Sequence, residues 1–137
     1  MGRVLAIDYG MKRTGMAWTD PLQIAITPLE TCATTDFDAC CTDCLNSGEV
    51  ETVVFGLPTH ADGHLTPVGE KVLKIIAQLK AKYHSIKFDT IDESFTSHRA
   101  RNLMVQMGTK KKKREKKENI DQMSAVLILR DYLNKIL

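Results

Sequence analysis

Long apolar runs, aromatic rings and net charge are all scarce in this sequence, and each scarcity excludes something. No apolar stretch is long enough to span a bilayer, and Met1-Gly2-Arg3 leads into a strand-like segment rather than a signal peptide. A membrane protein is therefore not expected, and the cytoplasm is the expected location. One Trp and three Tyr offer no evident platform for stacking unpaired bases. No repeat and no linker divides the chain, so residues 1–137 are expected to form a single domain with a core of its own. The formal net charge is only +2, so positive character is not general. It is concentrated instead in Lys110, Lys111, Lys112, Lys113 and Arg114, with Lys116 and Lys117 beyond, a cluster suited to a polyanionic partner.

Two apparent metal signals are weak. Cys41 and Cys44 have CxxC spacing, with Cys32 and Cys40 nearby. Yet Phe37, Cys40, Cys41, Cys44 and Leu45 follow i, i+3, i+4, i+7, i+8, the apolar stripe of a helix. Cysteine packs well as a small hydrophobe, so reduced thiols on a helix face are expected. His60 and His64 flank Asp62, but with no cysteine close by and no helical pair spacing they do not make a zinc site.

The hydrophobic pattern predicts an α/β domain. Arg3 to Asp8 reads as a buried central strand, and Gly10 and Gly15 bracket a tight return into Met16-Ala17-Trp18-Thr19. A third, edge strand is expected at Ile24-Ala25-Ile26 with Pro28-Leu29, then a helix from Asp36 to Asn46. Thr52 to Gly56 is a β-branched strand, and a helix from Pro67 follows with Val68, Val72, Ile75, Ile76 and Leu79 inward. Ile86 to Ile91 is the last strand. A helix from Thr96 or Ser97 to Met107 and a final helix from Asn119 to Leu137 complete the chain. The first, fourth and fifth strands, joined through helices, are expected to be parallel, with the second and third extending the sheet antiparallel.

Three acids stand at the ends of three apolar segments: Asp8, Glu93 and Asp121. In open α/β sheets ligands bind outside the carboxyl ends of strands, where Asp8 and Glu93 both fall. Oxygen ligands of this kind suit Mg2+ or Mn2+, and a pair of such ions is what two-metal phosphodiester hydrolysis uses. Asp121 lies in the first turn of the last helix, with small residues Ser124 and Ala125 on its side that would let the helix approach the sheet. Lys12 and Arg13, in the first turn beside Asp8, would hold a phosphate backbone.

These segments, taken in order, resemble a known family. Ala6-Ile7-Asp8-Tyr9-Gly10-Met11-Lys12-Arg13-Thr14-Gly15, Asp20-Pro21, Thr27-Pro28-Leu29-Glu30, Val54-Phe55-Gly56-Leu57-Pro58, Asp62-Gly63, Asp92-Glu93-Ser94 and Asp121-Gln122-Met123-Ser124-Ala125 resemble the YqgF/RuvX family over essentially the whole chain. The resemblance implies a ribonuclease H-like fold, here a five-stranded mixed sheet flanked by helices. It implies a metal-dependent nuclease with Asp8, Glu93 and Asp121 as catalytic metal ligands, Glu93 being preferred to Asp92. It also implies action on structured RNA, in processing the 5′ end of pre-16S ribosomal RNA within ribosome precursors, or on branched DNA as a Holliday junction resolvase. Ser94 stands where the family usually has Arg, and Met11 where it usually has Thr; both changes bear on substrate affinity rather than on the three acids.

Two other classes compete. Asp8-x-Gly10 with Gly15 also looks like the first phosphate loop of actin-like and sugar kinase ATPases, but those need two lobes and this chain supplies one. A non-catalytic module that binds RNA or ribosomes is compatible with the same fold, and retention of all three acids argues against it.

Overall fold

The computed structural model describes residues 2–58, 63–92 and 117–136, with side chains in the last helix described from Gln122 to Lys135. Strands β1 (Arg3–Tyr9) and β2 (Arg13–Thr19) form an antiparallel hairpin in which Ile7 faces Met16 and Asp8 faces Gly15. β3 (Ile26–Pro28) and β4 (Cys32–Ala33) both pair with β2. A 3-10 turn (Thr34–Asp36) leads into helix α1 (Phe37–Asn46), then β5 (Val50–Leu57), α2 (Pro67–Lys82), β6 (Lys87–Asp92) and α3 (Lys117–Ile136). The sheet order is β3-β2-β1-β5-β6, with β4 alongside β2. β1, β5 and β6 are parallel neighbours, as their helical connections require.

The side-chain alternation of the strands explains why β1 and β5 are apolar along nearly their whole length: both faces are covered. Leu5, Ile7, Tyr9, Met16, Val53, Phe55 and Phe88 pack with Phe37, Cys41 and Leu45 of α1 and Val72 and Ile76 of α2. Val4, Ala6, Ala17 and Val54 face Ala125, Ile128, Leu129 and Tyr132 of α3 on the other side. Fully buried residues such as Leu5, Ile7, Phe55 and Ile128 each contribute on the order of 1.5–3 kcal/mol. The alanines where α3 meets β1 and β2 let the helix sit close to the sheet. Within the first core Phe37 stands edge-on to both Tyr9 and Phe55, at centroid distances of 5.3 and 6.4 Å.

All four cysteines are free, Cys41 buried on the α1 stripe and Cys32, Cys40 and Cys44 packed against the same core. Burial pushes the Cys41 thiol up to about 12, as expected of a thiol that packs and does not ionise.

Two departures from the sequence pattern have physical causes. The third strand begins at Ile26 rather than Ile24, because the Asp20 carboxylate accepts the N–H groups of Leu22, Ile24 and Ala25 at 3.2, 2.7 and 2.7 Å. That turn leaves Leu22 and Ile24 63% and 79% exposed, so their alternation is not a buried face. β4, a sixth strand beyond the five expected, is only two residues long and too short for any periodicity to reveal. The last helix is described from Lys117 and includes the expected Asn119. The helix expected from Thr96 or Ser97 to Met107 lies outside the described residues.

Candidate active site

Asp8 shares its face of β1 with Val4 and Ala6, which pack under α3. The carboxylate therefore lies on the α3 side, at the carboxyl end of the central strand, partly buried. Gly15 is its cross-strand partner on β2. On the other side Gly56 follows Phe55, the partner of Ile7, and occupies the next level of β5. The positions directly opposite Asp8 on both neighbouring strands are therefore glycines. Both glycines are buried, and the acid closes an otherwise apolar strand.

Two side-chain hydrogen bonds set the direction of α3. The Gln122 amide donates to the Leu29 carbonyl at 3.0 Å, and the Leu29 N–H donates to the carbonyl of Met16, the residue opposite Ile7. Further along, the Tyr132 hydroxyl donates to Asp89 Oδ2 at 3.0 Å near the start of β6. The first turns of α3 consequently lie level with the carboxyl half of β1, and the helix that carries Asp121, immediately before Gln122, covers the face that carries Asp8. Glu93 lies outside the described residues, one position past the end of β6, as do Lys110, Lys111, Lys112, Lys113 and Arg114 and the side chain of Asp121. Among the described residues no three His, Cys, Asp or Glu side chains gather to hold a metal ion, since Asp8 is the one predicted ligand whose side chain is among them. Of the rejected histidine cluster, His64 is exposed, and His60 and Asp62 lie outside the described residues.

The donors that are described on this face suit a hard cation. Ser124, one turn after Asp121, is fully buried, and its hydroxyl has no hydrogen-bond partner among the described residues. A buried orphan hydroxyl calls for an explanation, and a bound ion or the water of its hydration shell is one. The thiols, soft donors, pack on the opposite face. A carboxylate and a hydroxyl on the same side of the sheet, with the thiols on the other, fit Mg2+ or Mn2+.

Lys12 is exposed at the tip of the β1–β2 turn, and alternation puts Arg13 on the same face as Gly15 and Asp8. Met11 is 73% exposed beside them. The turn is held from below by residues that the periodicity of the sequence did not single out. Thr34 donates its hydroxyl to the Gly10 carbonyl at 2.7 Å and its N–H to the Lys12 carbonyl at 3.0 Å. Its Oγ1 lies 3.0 Å from that of Thr14, which is fully buried. Lys71 of α2 was also missed: its ammonium lies 5.8 Å from the centroid of Tyr9, on the far side of the same strand end. Nothing in the helical pattern distinguishes Lys71 from an ordinary solvent-facing lysine.

The fold is ribonuclease H-like, with an acid at the carboxyl end of its central strand. Its backbone is similar to fowlpox virus resolvase, solved with Holliday junction DNA (TM-score 0.58, 13% identity, 98% of this chain and 99% of that one). It is also similar to RuvC of T. thermophilus, solved with a Holliday junction substrate (TM-score 0.56, 16% identity, 98% and 96%). Sequence narrows this further. Residues 2–135 match the family model described as "RuvX: Holliday junction resolvase", and the chain belongs to the RuvX family. Relatives include proteins named "Putative pre-16S rRNA nuclease" from Flavobacterium psychrophilum (37% identical, 98% of each chain) and Amoebophilus asiaticus (39% identical, 98% of this chain and 95% of the relative).

Proposed function

We propose that this protein is a divalent-metal-dependent nuclease that hydrolyses phosphodiester bonds in structured RNA, acting in the cytoplasm on ribosome precursors at the 5′ end of pre-16S ribosomal RNA. Family membership and the names of its relatives support the substrate. The observation that carries the chemistry is the position of Asp8: the carboxyl end of the central strand, glycines on both sides, under the helix that bears Asp121.

In this reading Asp8, Glu93 and Asp121 hold Mg2+ or Mn2+, and the whole of residues 1–137 works as one domain. Bound there, the metal would supply an activated water and charge neutralisation at the leaving oxygen. The chain's own groups do the rest. Gly15 and Gly56, which carry no side chains, flank Asp8 where the phosphodiester would approach. Arg13, on the Asp8 face, and Lys12, at the tip of the turn, orient the phosphate backbone, and Lys110, Lys111, Lys112, Lys113 and Arg114 extend that grip. Phosphate contacts fix position without reading bases, so selectivity rests on the shape of the RNA.

A second reading, cleavage of four-way DNA junctions, is favoured by the backbone likeness to two resolvases solved with such DNA. One assay decides between them. Wild type and Asp8→Asn are incubated with a precursor rRNA fragment and with a four-way DNA junction, in Mg2+ and in Mn2+. RNA cleavage by wild type alone supports the first reading, and junction cleavage alone supports the second. Equal cleavage by Asp8→Asn sinks both.

A further inference from the structure

The β1–β2 turn is built more rigidly than a solvated hairpin needs. A Cβ at Gly10 would lie 2.5 Å from the Arg13 carbonyl oxygen, so the two ends of the turn touch and only glycine fits. From outside the hairpin, Thr34 then binds the turn at two carbonyls, Gly10 through its hydroxyl and Lys12 through its N–H. The single hydroxyl proton of Thr34 goes to Gly10, so Thr14 is the donor in the Thr14–Thr34 contact and Thr34 accepts. β4 adds a backbone pairing of Ala33 with Arg13 and of Cys32 with Thr14. Thr34 thus sits at the junction of three restraints on residues 10–14, while touching none of the charged groups at the tip. Lys12 and Met11 remain exposed on a backbone that is fixed.

We propose that Thr34 is a positioning residue for nucleic-acid binding: it clamps the Gly10–Lys12 backbone so that Lys12 and Arg13 meet the phosphates already in place. The inference rests on the reading of Lys12 and Arg13 as phosphate contacts and adds to it the element that orders them. A preordered turn loses little conformational entropy on binding, and a loosened turn must be ordered by the substrate itself. Thr34 therefore acts on affinity and not on the chemical step.

The test compares wild type, Thr34→Val, Thr34→Ser and a Lys12→Ala/Arg13→Ala double variant, with and without Thr34→Val added. The probes are a fluorescent precursor rRNA fragment and a four-way DNA junction, with Ca2+ replacing Mg2+ for binding and Mg2+ for turnover. Thr34→Val, which removes the hydroxyl at similar volume, is expected to weaken binding and raise KM by roughly fivefold to tenfold. Its kcat is expected to stay within about twofold of wild type. Thr34→Ser restores both hydroxyl contacts and is expected to bind like wild type. In the Lys12→Ala/Arg13→Ala background the Thr34→Val penalty is expected to vanish, because there is no longer a charge to position. Should Thr34→Val fail to fold, Thr34→Ala, which also takes away the hydroxyl that holds Gly10, carries the same comparison. A Thr34→Val protein with unchanged KM, or one that loses kcat alone, overturns the inference while leaving the nuclease reading intact. Wild type that binds neither probe overturns the functional reading and this inference with it.

Discussion

Asp8 of β1 and Gly15 of β2 face each other across an antiparallel pair, on the side of the sheet that α3 covers. The pairing sets a residue with no side chain directly opposite the strand-end acid, where the preceding pair on this face, Ala6 and Ala17, is packed beneath the helix. The missing Cβ is therefore specific to the level of Asp8. Putting a methyl group there tests its use. Gly15→Ala is expected to keep the fold, since a strand accepts alanine, but to lower metal-dependent cleavage by roughly 10²-fold through displacement of the reacting phosphate. Parallel Mn2+ titration calorimetry and a melting curve would check it; full activity in a well-folded Gly15→Ala protein would show that nothing needs that space.

Replacing the carboxylate itself separates charge from shape. Asp8→Asn keeps the volume and removes the hard anionic donor, so cleavage in Mg2+ or Mn2+ is expected to disappear. The melting temperature is expected to hold or rise by a few degrees, as is common when an acid kept for function is neutralised. Thermal unfolding followed by circular dichroism, alongside the cleavage assay, reads both effects.

The contact between Tyr132 and Asp89 anchors α3 to the edge strand β6. Burial first, and the bond to Asp89 second, raise the Tyr132 phenol above its usual 10.0. The folded state thus prefers the neutral phenol. That contribution is complete below the unfolded value and is lost as pH rises through the higher folded value. Tyr132→Phe is expected to cost about 1 kcal/mol at neutral pH. It is also expected to flatten the alkaline loss of stability relative to wild type, and urea unfolding from about pH 7 to 11 would measure both.

Asp20 behaves in the opposite sense. The N–H of Ala25 above all, with those of Ile24 and Leu22, holds its carboxyl below the usual 3.8. Its stabilising effect is present above the unfolded value and is lost as pH falls through the lower folded one. The difference in urea midpoint between wild type and Asp20→Asn is therefore expected to be constant near neutral pH and to shrink below about 4. A difference that grows on acidification would contradict the role given to this turn.

Much of this architecture could be read from local pattern. The continuous apolar run of β1, the β-branched run of β5 and the period of α2 each announced the right element, because strands covered on both faces and helices covered on one leave different spacings. The Ile24-Ala25-Ile26 alternation misled, because one carboxylate at Asp20 offered three backbone donors a better partner than a neighbouring strand. Thr34 gave no periodic signal at all. Its importance comes from carbonyls at Gly10 and Lys12 that lie more than twenty residues away in the chain.

What the chain dictates alone is therefore the local vocabulary: which segments are strands or helices, that an acid ends the first strand, and that its cysteines are hydrophobes. Period and composition suffice for those, since they depend on neighbours within one or two turns. Tertiary structure alone decided that Asp8 lies between two glycines and beneath the helix of Asp121, and that a threonine from another element secures the turn beside it. Those relations depend on strand register and on the face a helix selects, which are set by packing of the whole sheet rather than by any one stretch of residues.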